Sequence, residues 1–160
     1  IQQPGIYEDD SKANVDLMID LAQTYENMGD FKKACYYREV VLSKNTEADK
    51  LNDLNNLSLV YLKNKEYQKC IETVNNIELN EENSHTRIFS ARAYAYQNKY
   101  KEAQKELESI VDYKDTDAKD MLEKIQNSSP EIFWKEDFEM KQISWQPENR
   151  INDKENHKNQ

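Results

Sequence analysis

The sequence predicts an all-α fold: a right-handed solenoid of three helix-turn-helix repeats, closed by a capping helix and an aromatic C-terminal helix. Three observations lead there. The 160 residues include only 2 Gly and 3 Pro, which leaves little material for tight hairpins or glycine loops and favours helix. One arrangement of small and aromatic residues recurs three times at the spacing of a two-helix unit. The carboxylates interleave with Lys along the stretches that read as helix, as on solvated helical faces with i,i+4 pairing.

Residues 1–11, with Pro4-Gly5, read as an irregular lead-in. A chain that starts at Ile1 rather than Met is expected to be a processed or excised piece, or part of something longer. The first repeat then places helices near 12–28 and 31–44, the second near 48–63 and 66–79, and the third near 84–97 and 100–112. The recurring arrangement justifies them. Ala22, three residues on Tyr25, six on Phe31 and three on Ala34 are matched by Ser58, Tyr61, Tyr67 and Cys70, and again by Ala91, Tyr94, Tyr100 and Ala103. The small residues lie where the two helices of a hairpin approach closely. Tyr25, Tyr61 and Tyr94 act as large fillers between repeats, and Phe31, Tyr67 and Tyr100 pin each second helix to its first. Gly29 suits a left-handed helix end, whereas the other two turns must use Asn64 or Lys65 and Asn98.

A seventh helix over 116–126 carries Ala118, Met121, Leu122 and Ile125 at helical spacing, with Asp115 or Thr116 as its N-cap. It caps the open apolar edge of the stack, so the solenoid domain spans 12–126. Residues 127–147 form an aromatic segment. Ser128-Ser129-Pro130-Glu131 signals a helix start, with serine as cap, proline in the first turn and Glu three residues after Ser128. Phe133, Trp134, Phe138 and Trp145 follow, and Pro147 ends the segment. Residues 148–160 are polar and charged and are expected to be disordered.

Over roughly residues 12–126 this pattern resembles the tetratricopeptide repeat (TPR) superfamily. The stretch from Asn56 through Cys70 looks most like the middle repeat of three-repeat TPR domains in co-chaperones and immunophilins. The resemblance implies a non-catalytic binding module. It also implies an alternative, a chaperone-linked adaptor that grips acidic C-terminal tails with Lys, Asn and Arg on its concave face. Asn56 matches the middle-repeat asparagine of that clamp. Ile19 and Gln23 stand where Lys and Asn are expected, and His85 and Phe89 where Lys and Arg are expected. With four of the five clamp positions changed, chaperone-tail binding is disfavoured.

The inner faces of the first helices instead present Ile19, Gln23, Asn52, Asn56, Leu59, His85, Ile88, Phe89 and Arg92 as candidate partner contacts. The apolar stripe of Ile19, Leu59, Ile88 and Phe89 suits an amphipathic helix or an extended apolar peptide. Phe133, Trp134, Phe138 and Trp145 have two readings that stay open: a helix packed on the solenoid itself, or an exposed hot spot for a partner.

Other function classes find little support. Cys35 and Cys70 fall at or beside small core positions and read as buried thiols. With His85 and His157 they have no metal-ligand spacing, so no metal and no cofactor is expected. No glycine loop is available to cradle phosphate, and no carboxylate pair is marked out as acid and base, so no enzyme activity is expected. The net charge of −9 opposes nucleic acid as a partner, and no apolar stretch is long enough to insert in a membrane. Two cysteines without a secretory pattern point to the cytoplasm. The expected role is a scaffold or subunit of a larger complex with a protein or peptide partner.

Overall fold

The computed structural model describes residues 11–144, so all but the last residue of the expected 1–11 lead-in, Trp145 and the expected tail over 148–160 lie outside the described residues. All regular structure among the described residues is helical. Three hairpins follow one another: α1 (Ser11–Met28) with α2 (Phe31–Lys44), α3 (Lys50–Lys63) with α4 (Tyr67–Asn75), and α5 (Thr86–Tyr96) with α6 (Tyr100–Glu108). A 3₁₀ turn over Val111–Tyr113 leads to α7 (Thr116–Asn127), and two short helices close the described chain, α8 (Pro130–Glu136) and α9 (Phe138–Ser144). Each helix packs on its neighbours in sequence, α3 also meets α5, and α9 returns to touch α3.

The stack exists because small residues stand at every close approach. Ala22, Ser58 and Ala91 on the first helices, and Ala34, Cys70 and Ala103 on the second, are all 0% exposed. Ser58 keeps its hydroxyl satisfied at this depth by donating to the Asn55 carbonyl at 2.7 Å. Tyr61 works between repeats, donating its hydroxyl from α3 to Glu39 on α2 at 2.6 Å, whereas Tyr25 stacks on Tyr37 within the first hairpin at 5.6 Å. Tyr67 makes a contact beyond its expected role. It packs on the cluster shared by α3 and α4 and also lies flat against Tyr96, with ring centroids 5.0 Å apart, and so ties α4 to the following repeat as well.

The three hairpin turns are built alike. In each, the residue just before the second helix donates its N–H back to the repeat tyrosine's carbonyl: Asp30 to Tyr25 at 2.9 Å, Glu66 to Tyr61 at 2.9 Å, and Lys99 to Tyr94 at 3.0 Å. This closure requires the residue just before the donor to be left-handed, and Gly29, Lys65 and Asn98 have φ of 77°, 64° and 60°. The second turn therefore uses Lys65, not Asn64. Lys65 carries a Cβ in a conformation that costs an L-residue about 1 kcal/mol, so Lys65→Gly is expected to raise the melting temperature by roughly 2–4 °C in a thermal melt.

The starts of α2, α7 and α8 are capped by side chains. Asp30 accepts from the Lys33 N–H at 3.2 Å and Asp115 from the Ala118 N–H at 2.9 Å. At α8 the cap is Ser129, which accepts from the Ile132 N–H at 3.2 Å, with Pro130 opening the first turn. The reciprocal box suggested by Ser128 and Glu131 does not form. Ser128 donates to the Lys124 carbonyl, and Glu131 pairs with Lys135 at 2.8 Å. The aromatic segment, expected as one helix, is two, because the backbone leaves helical geometry at Asp137 (ψ 121°).

Two clusters make up the core. One joins the first two repeats around Leu57, Val60, Leu62, Ile71 and Val74. The other joins the third repeat to α7 and α8 around Leu107, Ile110, Met121, Ile125 and Trp134. Charged residues also tie helices together. Arg38, itself buried, holds Glu26 with two hydrogen bonds at 2.9 and 3.1 Å across α1 and α2.

Candidate functional site: the concave groove

α3, α5 and α7 form one side of a cavity of about 680 Å³, and α8 with the start of α9 forms the other. Leu59 and Leu62 come from α3, and His85, Ile88, Phe89 and Arg92 from α5 and the residue before it. Their spacing by three and four puts them on one helical face. Met121 on α7 and Phe133 on α8 add further apolar surface. Phe89 receives the edge of the His85 ring at a centroid distance of 6.2 Å and 90°.

Six of the expected partner contacts, Leu59, His85, Ile88, Phe89, Arg92 and Phe133, are thus brought together around one cavity. Others are not. Ile19 is half-buried on α1, and Gln23 is exposed and donates to Asn27 at 3.1 Å. Asn52 is exposed and Asn56 half-buried, and neither borders this cavity. Trp134 turns away into the core at 1% exposure, with its ring edge-on to Phe133 at 4.9 Å. The side chain of Phe138 and the whole of Trp145 lie outside what the structure describes.

Sequence reasoning missed the contacts by which the C-terminal segment reaches this groove. Arg92 donates through Nε to Asp137 at 3.1 Å, both side chains being largely shielded from solvent. The same Asp137 carboxylate accepts from the Met140 N–H at 3.0 Å and so caps α9. Tyr96, one turn along α5 from Arg92, donates its hydroxyl to the Met140 carbonyl. Burial, with smaller contributions from Tyr67 and the Asp137 carboxylate, pushes the Tyr96 phenol up to about 12, so it remains a donor at neutral pH.

The groove's charges are distributed unevenly. Lys63 and Arg92 lie on α3 and α5, and Glu136, Asp137 and Glu139 on α8, the joint after it and α9. On α7, Lys124 is paired with Asp120 at 2.8 Å. A surface of this kind can seat an amphipathic segment, with apolar contacts in the middle and ionic contacts at its edges.

Residues 27–110, just over half of the chain, match the family model described as Anaphase-promoting complex, cyclosome, subunit 3. The chain belongs to this family. The family is of the TPR type, and the match runs from the end of α1 through α6, covering the hairpins that supply Leu59, Ile88, Phe89 and Arg92. No curated protein and no solved structure matches the chain. The TPR-type reading of the sequence is thereby shown, while nothing in the match is particular to co-chaperones. For a member of the anaphase-promoting complex subunit 3 family, the α7–α9 region lies beyond the matched residues, and it is this region that closes one side of the groove. Among the described residues, no helix is long and apolar enough to cross a membrane.

Proposed function

We propose that this chain is a non-catalytic scaffold module of a multi-protein assembly, of the kind named in its family's description, and that it holds a partner's helix or peptide in the concave groove. The observation that carries this reading is the convergence of Leu59, Ile88, Phe89 and Arg92, from two successive repeats, on one open cavity. A partner segment buried there would gain about 25 cal/mol per Å² of apolar area removed from water, with Arg92 fixing its register. The chaperone-tail alternative is weaker, since the positions expected to carry cations hold Ile19, Gln23, His85 and Phe89.

The test is affinity purification followed by mass spectrometry, with the parent chain and a Leu59→Asp/Phe89→Asp chain compared side by side. Both positions are half-buried, and Phe89 also packs on the core of the first two repeats, so a thermal melt and a Leu59→Asp chain alone accompany the comparison to confirm that the variants are folded. The variant is expected to lose the stoichiometric partner. Recovery of the same partners by both chains would remove the groove from the reading.

A further inference from the structure

The groove is already partly filled by the chain itself, and the manner of filling says what it selects. Three features of the occupant are read by the wall. The Asp137 carboxylate that opens α9 meets the Arg92 guanidinium at 3.1 Å. The Met140 carbonyl, in the first turn of α9, accepts from the Tyr96 hydroxyl. The Met140 side chain, three residues after the cap, packs against the cluster formed by the third repeat, α7 and α8. The charges agree with this pairing, since the α3–α5 side carries Lys63 and Arg92 and the arm carries Asp137 and Glu139, with Glu136 paired to Lys141 at 3.1 Å.

The two halves of the C-terminal arm are held very differently. α8 is locked in place by Trp134 and Phe133, both buried. α9 has only seven residues, too few to be stable as a helix without help, and Glu139, Lys141 and Gln142 on it are exposed. Between them Asp137 leaves helical geometry and forms a joint. The arm can therefore release α9 while α8 stays docked.

We propose that α9 is a displaceable, built-in occupant of the groove, and that the partner segment it yields to is a short acidic helix opened by Asp or Glu with an apolar residue three positions on. This rests on the groove reading above and narrows it to one ligand chemistry. Arg92 supplies the charge-assisted contact to the helix-opening carboxylate, and Tyr96 the contact to a main-chain carbonyl in the helix's first turn. Closure of α9 lowers the apparent affinity for any such partner, in proportion to the fraction of chains in which the groove is free.

The probe is a fluorescein-labelled peptide of residues 136–144, titrated by anisotropy into full chains. The Asp137→Ala chain, whose own arm is loosened while Arg92 remains, is expected to bind the peptide roughly tenfold more tightly than the parent chain. Adding Arg92→Ala is expected to abolish that gain, as is replacing the peptide's aspartate by asparagine. Equal affinity for the parent and Asp137→Ala chains, no binding by either, or a gain that survives Arg92→Ala would overturn the proposal. Hydrogen exchange on the unaltered chain reads the same point without mutation. The α9 amides are expected to exchange faster than those of α8, and equal protection would show that the two move as one body and would refute release. If the peptide fails while Leu59→Asp/Phe89→Asp still loses its partner, the groove reading stands and only the acidic-helix assignment falls.

Discussion

Trp134→Ala is expected to destabilise the chain by about 3–5 kcal/mol and to lower its melting temperature by on the order of 10 °C. The indole is 1% exposed, the largest fully buried side chain among the described residues, and it stands in the cluster that joins the third repeat to the capping helices. Its removal opens a cavity bounded by helices from three elements. These cannot close in without breaking the small-residue approaches at Ala91 and Ala103, so relaxation recovers little of the loss. The edge-on contact with Phe133 adds a further part. Trp134→Phe discriminates packing from polarity. The indole N–H has no acceptor among the described residues, so a benzyl ring keeps most of the buried area without leaving a donor unpaired, and a loss of only about 1 kcal/mol is expected. Thermal melts of both variants check this. A Trp134→Ala chain that melts within about 2 °C of the parent would mean that α8 is not seated on the solenoid. The two readings left open for the aromatic segment would then swing toward a partner-binding hot spot.

The repeat stack was legible in the sequence because it depends on local, repeated features. The six small positions and the three turns occur at fixed spacing, and Gly29, Lys65 and Asn98 occupy one structural position despite three different side chains. Only the choice between Asn64 and Lys65 stayed open, because composition favours Asn for a left-handed residue while the register of the Tyr61–Glu66 closure demands Lys65. The groove was partly legible. Leu59, Ile88, Phe89 and Arg92 follow from helical periodicity, but Glu26, on the same inner face by periodicity, is drawn toward α2 by Arg38. A buried arginine is not visible in a pattern that assigns charges to the surface. The return of the arm was not legible, because Arg92 and Asp137 are far apart in sequence and nothing periodic links them. One signal was available: Asp137, two residues before Glu139 and just ahead of Phe138, is of the residue type that caps helices and marked the joint between α8 and α9.

Alkaline pH is expected to unfold the chain sharply. Cys35 and Cys70 are buried in the core of the first two repeats. Burial pushes the Cys70 thiol up to about 12, with a smaller contribution from Glu106. It pushes Cys35 up as well, helped by Glu66 and Glu39 and opposed by Lys69. The Tyr61 and Tyr96 phenols are raised for the same leading reason. These are acids whose folded value lies above the unfolded one. Below about pH 8.5 both states hold the thiol proton and the cysteines add no pH dependence. Above it the unfolded chain releases protons that the folded chain keeps, so stability falls by about 1.4 kcal/mol per pH unit for each such cysteine, and faster still above about pH 10, where tyrosines begin to ionise in the unfolded chain. A domain with a stability of about 5–15 kcal/mol cannot sustain that slope for more than a few units.

Cys70→Ala tests the argument, because the equivalent positions in the other repeats are Ala34 and Ala103, and alanine fits there without strain. At neutral pH the substitution is expected to cost no more than about 1 kcal/mol. In alkaline titrations followed by far-ultraviolet circular dichroism, its unfolding midpoint is expected to move upward by roughly half a pH unit, since one of the groups that drive unfolding is gone. Coincident midpoints for parent and variant would mean that the thiol ionises in the folded chain. The approach between α3 and α4 would then be open to water and not closed, as its small residues require.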